Sequence, residues 1–235
     1  MNIETIIFGP SDWVPNNPHL PVLLYKGLFA DGGPTDFERR FAANGWTGIW
    51  TNGVFDYQHY HSGAHEVLGI ALGSATLLIG GPGGQAIAVA AGDCLVLPAG
   101  TGHQNLGCTS NFQVIGAYPK GQHADIQTSA ASSETLTKIS SVPLPDTDPV
   151  QGPSGFLIEQ WRWQACRVRR SDRRRPHQHH AGSKSEACTY AVVWLALSLG
   201  PTRPYPSTNR SQTRLHVASS MPCLRRRSEG DEHEP

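Results

Sequence analysis

The sequence has 235 residues, and 19 Lys and Arg side chains balance 19 Asp and Glu side chains. The balance is uneven, because residues 1–161 hold five basic and thirteen acidic residues (net −8) and residues 162–235 hold fourteen and six (net +8). No basic start followed by an apolar stretch opens the sequence, so we expect no secretory signal and predict a cytoplasmic location. We expect one folded domain over 1–161, long enough for a real core, and a separate basic tail over 162–235.

The first predicted element in chain order is a helix that begins near residue 35. Thr35, Asp36 and Glu38 form a pattern typical of a capping box. Gly45, after Asn44, is typical of a helix end. The pattern predicts a helix of about ten residues.

Strands are predicted for most of the segment that follows. Short apolar or alternating runs between turn residues predict strands over 46–50, 75–79, 86–90, 94–97 and 112–118. Their spacing is typical of a sandwich or barrel. The run Gly80–Gly84 resembles a phosphate-binding loop, but it lacks the Lys-Ser/Thr ending and opens no helix, so it is interpreted as a hairpin loop.

Three potential metal ligands lie between the first two of these strands. His59 and His61 fall on the same face of an extended segment, since side chains alternate along a strand. The turn-prone pair Ser62 and Gly63 allows Glu66 to begin the next antiparallel strand and return over that face. Two imidazoles and a carboxylate suit a divalent first-row metal with positions left open.

A second segment completes the predicted site. The strand predicted over 94–97 is bounded by Gly92 and Pro98, and a glycine-rich turn then delivers His103. The sequence thus offers His59, His61, Glu66 and His103 as metal ligands.

The two segments together resemble the paired motifs of the cupin superfamily. The first motif is matched by Gly53, His59, His61, Glu66 and Gly73, and the second by Gly92, Pro98, Gly100 and His103. Gly107 stands where the second motif ends in asparagine, and Asn105 is out of register. That position is not a metal ligand in cupins, so the departure leaves the ligand set intact.

The resemblance implies an all-β fold, a single cupin (jelly-roll, double-stranded β-helix) barrel with a short N-terminal helix and a largely disordered C-terminal tail. It implies that the run Leu20–Tyr25 is an edge strand outside the barrel, or alternatively an interface strand. It also implies a divalent metal at the four ligands: Fe, Mn, Zn, Ni or Cu.

Three neighbours of the ligands remain open as site residues. His65 is the nearest competitor as a ligand, and an outward-facing turn histidine is the favoured interpretation. Either Tyr57 or Gln58 lines the cavity, or both occupy plain strand positions.

The predicted function is that of a metal-dependent oxidoreductase acting on a small, weakly charged organic molecule. No Lys or Arg occurs between residues 41 and 119, which counts against charged sugar-phosphate substrates. The chain also resembles cupin oxidoreductases of fungal polyketide gene clusters, which implies a role in secondary-metabolite biosynthesis of the salicylaldehyde type. The alternatives are a non-catalytic small-molecule-binding cupin and a metal-dependent isomerase or lyase.

The expected partners are a small-molecule substrate and, since cupins commonly pair through their outer sheets, a second copy in a homodimer. Neither a nucleic acid nor a membrane is expected. The tail, residues 162–235, is rich in Arg and Pro, and its single apolar run of ten residues is too short to span a bilayer. It is interpreted as aberrant sequence or a disordered extension, and no function is assigned from it.

Overall fold

The computed structural model describes residues 2–29 and 33–173, with side chains described as far as residue 164. In this part of the chain nine strands form two antiparallel sheets, one with the order β1-β2-β7-β4-β9-β3 and one with the order β6-β5-β8. The strands are β1 Asn2–Ile6, β2 Val22–Lys26, β3 Trp46–Asn52, β4 Glu66–Leu72, β5 Ser74–Ile79, β6 Gln85–Ala90, β7 Cys94–Leu97, β8 His103–Cys108 and β9 Gln113–Pro119. The helices are α1 Pro34–Ala43, α2 Ser133–Ser141 and α3 Phe156–Arg173.

The inner core lies between the two sheets. Leu68 and Leu95 of the large sheet pack in one buried cluster with Leu77, Ile79 and Val89 of the small sheet. Strands β5 and β6 alternate between buried and more exposed residues, because only one face of the small sheet is covered.

The other face of the large sheet is covered by helices. Phe37 and Phe41 of α1 and Trp161 of α3 are fully buried against this face. Strands β4 and β7 are therefore buried on both sides, which explains why they are nearly continuous apolar runs. The predicted all-β cupin barrel with a short N-terminal helix is confirmed.

Two local predictions need correction. The run Leu20–Tyr25 was expected at a sheet edge, but β2 lies between β1 and β7, and Leu23 and Tyr25 are fully buried. An additional strand, β1, supplies the edge instead. The helix has the predicted length, but its N-cap is Gly33, whose N–H donates to the Asp36 carboxylate at 3.0 Å.

Helix α3 continues through the domain boundary predicted at residue 161. Trp161 is buried on the large sheet, and its Nε1 donates to the carbonyl of Pro21 at 3.0 Å. The boundary remains a prediction, and the predictions for residues 174–235 lie outside the described residues. Within the described part, no helix has the length and apolar character needed to cross a membrane.

Gly69, in the middle of β4, provides a test of the packing between helix and sheet. A Cβ at this position would lie 2.3 Å from Cδ1 of Phe37, far inside van der Waals contact. We expect Gly69→Ala to lower the free energy of unfolding by about 1–3 kcal/mol through overpacking, measured by chemical denaturation. Gly9→Ala is the matched control, because nothing lies within 4 Å of the added methyl group. Equal stability of the two variants would contradict this packing.

Candidate metal centre

Two of the predicted ligands are brought together by the backbone. His59 and His103 form an isolated antiparallel bridge, with the N–H of His103 donating to the His59 carbonyl at 2.9 Å and the reverse bond at 3.2 Å. Their ring centroids are 4.0 Å apart. The expected alternation also holds, because Tyr60 turns away from the site into a separate buried cluster with Ala99 and Ile139.

The rings of His59, His61 and His103 converge on one point. All three side chains are buried, and one ring nitrogen of each lies within 4.8 Å of the others, a spacing that can hold a metal ion. The Nδ1 atoms contact backbone carbonyls: His59 that of Tyr57 at 3.2 Å, His103 that of Thr101 at 3.1 Å, and His61 that of Asp125. Such bonds fix the tautomer that leaves Nε2 unprotonated and turned inward, as in histidine metal ligands.

Glu66 places a carboxylate beside two of these rings. Its Oε2 lies 3.3 Å from Nε2 of His61 and 3.3 Å from Nε2 of His103. The atom is buried, and among the described residues it has no hydrogen-bond partner of good geometry. An orphaned buried carboxylate oxygen is costly, and a cation at this point would satisfy it. The donor set of three imidazoles and one carboxylate therefore fits a divalent metal ion.

The electrostatics of the cluster agree with that fit. Burial lowers the pKa of His59 to about 2, and the neighbouring His103 and His61 contribute to the same shift. Burial would also lower the pKa of His61, but the Glu66 carboxylate raises it to about 9. Burial would raise the pKa of Glu66, yet His61 and His103 hold it well below its usual range. The cluster thus favours a positive charge beside Glu66, which a bound divalent cation would supply.

Asp125 holds both the turn between the ligands and one ligand ring. Its carboxylate accepts bonds from the N–H of Ser62 at 2.7 Å, the N–H of Gly63 at 3.1 Å and the Ser62 hydroxyl. Its backbone carbonyl accepts from His61 Nδ1. Although partial burial opposes it, these bonds lower the pKa of the Asp125 carboxyl. The position of His61 therefore depends on a loop that follows β9.

Removal of the Asp125 carboxylate should weaken metal binding. We expect Asp125→Ala to reduce the affinity for Zn²⁺ about 10- to 100-fold, because the carbonyl that orients His61 is then no longer held in place. A competition titration with a chromophoric chelator measures the effect. Lys138→Met is the control: it removes a half-exposed cation 3.2 Å from Asp125 and leaves the bonds to Ser62 and Gly63. If Asp125→Ala binds Zn²⁺ as tightly as this control, Asp125 does not position His61.

The three histidines and Glu66 face a cavity of about 250 Å³. Its lining is mostly apolar and aromatic, and no Lys or Arg is found among the described residues around it. Besides the four predicted ligands, the lining residues are Trp50, Asn52, Gly53, Val54, Phe55, Leu68, Tyr118, Ala124 and Ile126. The cavity has room for a small organic molecule.

Tyr118 and Trp50 are cavity residues that the sequence patterns did not single out. Strand β9 pairs with β4 through Val67 and Ala117, so the next pair along the ladder places Tyr118 beside Glu66 on the same face. Trp50 Nε1 donates to the Tyr118 hydroxyl at 3.0 Å. Burial, then the charge of Glu66, raises the pKa of Tyr118. The sequence shows β9 as an apolar run, but it does not show the register of this strand against β4.

His65, Tyr57 and Gln58, which the sequence left open as site residues, all lie outside the site. His65 is not an outward-facing turn residue: it is fully buried, its ring lies 4.7 Å from that of Trp161, and its Nδ1 accepts from the N–H of Ala99 at 3.0 Å. Burial lowers its pKa to about 3, so it is a neutral packing residue. Tyr57 is partly exposed and stacks on Phe55, while Gln58 faces away towards Gly102, so neither lines the cavity.

Residues close to the two motifs differ in whether they line the cavity. Phe55 and Leu68 line the cavity, whereas Ile70 and Leu97 belong to the inner core and do not. The Asn105 side chain accepts from the N–H of Gly107 at 2.9 Å. The asparagine near the end of the second motif thus bonds within β8, where the register of β8 against β5 shifts, and it is not among the cavity residues.

The barrel, the two motifs and the buried histidine cluster define the protein as a cupin. It is 37% identical over 160 residues to the uncharacterized protein YjlB of Bacillus subtilis strain 168, an alignment that covers 67% of this chain and 96% of that protein. The chain belongs to the family of YjlB. No profile of a known protein family matches the chain.

Comparison with solved structures gives weak overall matches. A DUF861 family protein from Thermotoga maritima has 18% identity, a TM-score of 0.27, and coverage of 40% of this chain and 96% of that chain. Acireductone dioxygenase from Bacillus anthracis, with a cadmium ion in its active centre, has 17% identity and a TM-score of 0.27, and the match covers 40% of this chain and 60% of that chain. The epimerase RmlC from Legionella pneumophila has 13% identity, a TM-score of 0.24, and coverage of 57% and 75%.

Proposed function

We propose that His59, His61, Glu66 and His103 bind one divalent metal ion and that the protein is a metal-dependent oxidoreductase. The observation that supports this most strongly is the orientation of the three rings by backbone carbonyls, which brings their nitrogens together and places Nε2 of His61 and of His103 3.3 Å from the orphaned Oε2 of Glu66. Four protein ligands leave up to two octahedral positions open. Iron, manganese, copper, nickel and zinc all accept this set of nitrogen and oxygen ligands.

The bound metal would supply Lewis acidity or, in the case of iron, manganese or copper, electron transfer. The chain itself contributes a small, largely apolar cavity that binds the substrate beside the ligands and limits access of water. Because no basic side chain among the described residues lines this cavity, the substrate is an uncharged or weakly charged organic molecule. In the simplest balanced reaction an alcohol loses two electrons and two protons to become a carbonyl compound, and dioxygen takes them up as hydrogen peroxide.

A role in secondary-metabolite biosynthesis, on a precursor of the salicylaldehyde type, is the biological setting that we propose. It depends on the resemblance to cupins of fungal polyketide gene clusters. A cytoplasmic location and a homodimer are further parts of the proposal.

Oxygen uptake by reconstituted protein tests the oxidoreductase. The chain, loaded separately with Fe²⁺, Mn²⁺, Cu²⁺ or Zn²⁺, is mixed with small alcohols, aldehydes and phenols while dissolved oxygen and products are followed. We expect substrate-dependent oxygen uptake with at least one redox metal and none with Zn²⁺ or with the His61→Ala variant. Turnover with Zn²⁺ and no oxygen uptake would instead support an isomerase or lyase. Tight ligand binding without turnover would support a non-catalytic binding cupin.

A further inference from the structure

We propose that Tyr118, held by Trp50, donates a hydrogen bond to an oxygen atom of the small molecule in the cavity and so selects oxygen-bearing compounds. This inference rests on the proposed metal-dependent function, because it assigns the substrate class of the same site. Three features of the structure lead to it: the position of Tyr118, the hydrogen bond that its hydroxyl accepts from Trp50, and the lack of Lys and Arg among the described residues of the cavity lining.

Tyr118 lies at the edge of the ligand cluster. It is beside Glu66 across the β4–β9 ladder, and its ring centroid is 6.2 Å from that of His61. It also lines the cavity that the predicted ligands face. A molecule that occupies the cavity next to the ligands is therefore within reach of the phenol.

Trp50 determines the direction of the phenol proton. The hydroxyl oxygen of Tyr118 accepts the indole N–H at 3.0 Å. A hydroxyl has one proton to donate, and the bond from Trp50 leaves that proton for the Glu66 carboxylate or, when a metal ion holds that carboxylate, for an oxygen atom in the cavity. Since a phenol is protonated at neutral pH, Tyr118 presents a donor to the cavity.

Gly116 makes this arrangement possible. Trp50 of β3 is paired with Gly116 of β9. A Cβ at Gly116 would lie 2.0 Å from the indole, so only glycine allows the Trp50 ring to lie across β9 and reach Tyr118.

The charge of the cavity indicates what Tyr118 would bind. Apart from the predicted ligands, the polar side chains in the lining are those of Asn52, Trp50 and Tyr118, and the described residues there include no Lys or Arg. Among these described side chains an anionic substrate would find no cationic partner apart from the proposed metal ion. A neutral molecule with a carbonyl or hydroxyl oxygen would gain the bond from Tyr118 and place its apolar part against Val54, Leu68 and Ile126.

The test uses the full chain loaded with Co²⁺ and two probes of similar shape, pyridine N-oxide and pyridine. Both are neutral, but only the first has an oxygen atom that can accept a hydrogen bond when it lies beside the metal. Changes in the visible absorption of Co²⁺ give the Kd of each probe. We expect Tyr118→Phe to weaken pyridine N-oxide binding about tenfold, the usual effect of one lost hydrogen bond, and to change pyridine binding less than about twofold.

Trp50→Phe is the second variant. This variant keeps an aromatic ring over Gly116 and removes the indole donor. It should also weaken the binding of pyridine N-oxide, but by a smaller factor, about threefold. Co²⁺ affinity and the thermal midpoint, measured for each variant, show whether the metal site and the fold are retained. Weaker binding of pyridine N-oxide at unchanged Co²⁺ affinity is a result that a purely structural tyrosine would not give.

The outcomes separate this inference from the proposed function. If wild-type protein fails to bind one Co²⁺ per chain, the metal centre is wrong and the inference is overturned with it. If Co²⁺ binds but pyridine N-oxide does not alter its spectrum, the metal centre stands and the role of Tyr118 is overturned. The same conclusion follows if Tyr118→Phe changes the Kd of both probes equally or changes neither Kd.

Discussion

His59→Ala should bind Zn²⁺ at least about 100-fold more weakly than wild-type protein, because loss of a ligand costs more than loss of a group that only orients one. The His59 ring is in van der Waals proximity to the His103 ring, with centroids 4.0 Å apart, and its Nδ1 contact with Tyr57 leaves Nε2 directed into the cluster. The backbone bridge between residues 59 and 103 does not involve the ring and survives the change. The metal-free fold should therefore be retained.

Thermal unfolding with and without Zn²⁺ measures this difference. A metal that binds only the native state stabilises it by about 2.7 kcal/mol at a concentration 100 times its Kd. Wild-type protein should show the corresponding rise in thermal midpoint, and His59→Ala should not at the same Zn²⁺ concentration. His19→Ala is the matched control, since it makes the same change at an exposed position. Equal Zn²⁺-dependent stabilisation of His59→Ala and His19→Ala would show that His59 is not a ligand.

Asp148→Ala is expected to have the largest effect on the stability of the metal-free fold, about 3–5 kcal/mol of unfolding free energy. Asp148 is fully buried. Its carboxylate accepts four bonds: the Tyr25 hydroxyl at 2.6 Å and the N–H groups of Val150 at 2.7 Å, Gln151 at 2.9 Å and Leu157 at 2.9 Å. These bonds connect β2 to the start of α3, where a negative charge is also favourable.

Removal of the carboxylate leaves all four donors without this partner in a buried region. Chemical denaturation of the metal-free chain measures the loss, and Asp146→Ala serves as the control because Asp146 is exposed and close in sequence. Asp148→Asn should lie between the two, since the amide keeps one acceptor oxygen but loses the charge. A difference of less than about 1 kcal/mol between Asp148→Ala and Asp146→Ala would contradict the proposed role of this carboxylate.

The barrel could be predicted from the sequence because glycine, proline and apolar runs mark its strands and turns. The run at Cys94–Leu97 predicts a buried strand, and the structure gives the same bounds for β7. The His59-Tyr60-His61 alternation was also correct, although these residues pair through isolated bridges and are not part of a named strand. Local spacing is sufficient for such features because neighbouring residues determine them.

Features that depend on distant segments could not be predicted. The burial of His65 results from Trp161 of α3, a helix the sequence analysis did not predict. The carbonyl that orients His61 belongs to Asp125, 64 residues further along the chain. Tyr118 joins the site through the register between β4 and β9, and an alternating pattern in one strand does not determine which partner residue lies opposite.

X-ray absorption at the zinc edge of the Zn²⁺-loaded chain tests the central claim, the four-ligand metal centre, most directly. We expect a first shell of nitrogen and oxygen atoms at about 2.0–2.2 Å, with the outer scattering of three imidazole rings and no sulfur. In the double variant His59→Ala, Glu66→Ala the shell should lose one imidazole and the carboxylate, or zinc should not be retained. A sulfur shell, or a three-imidazole shell that the double variant leaves unchanged, would contradict the account, since residues other than the four proposed ligands would then hold the ion.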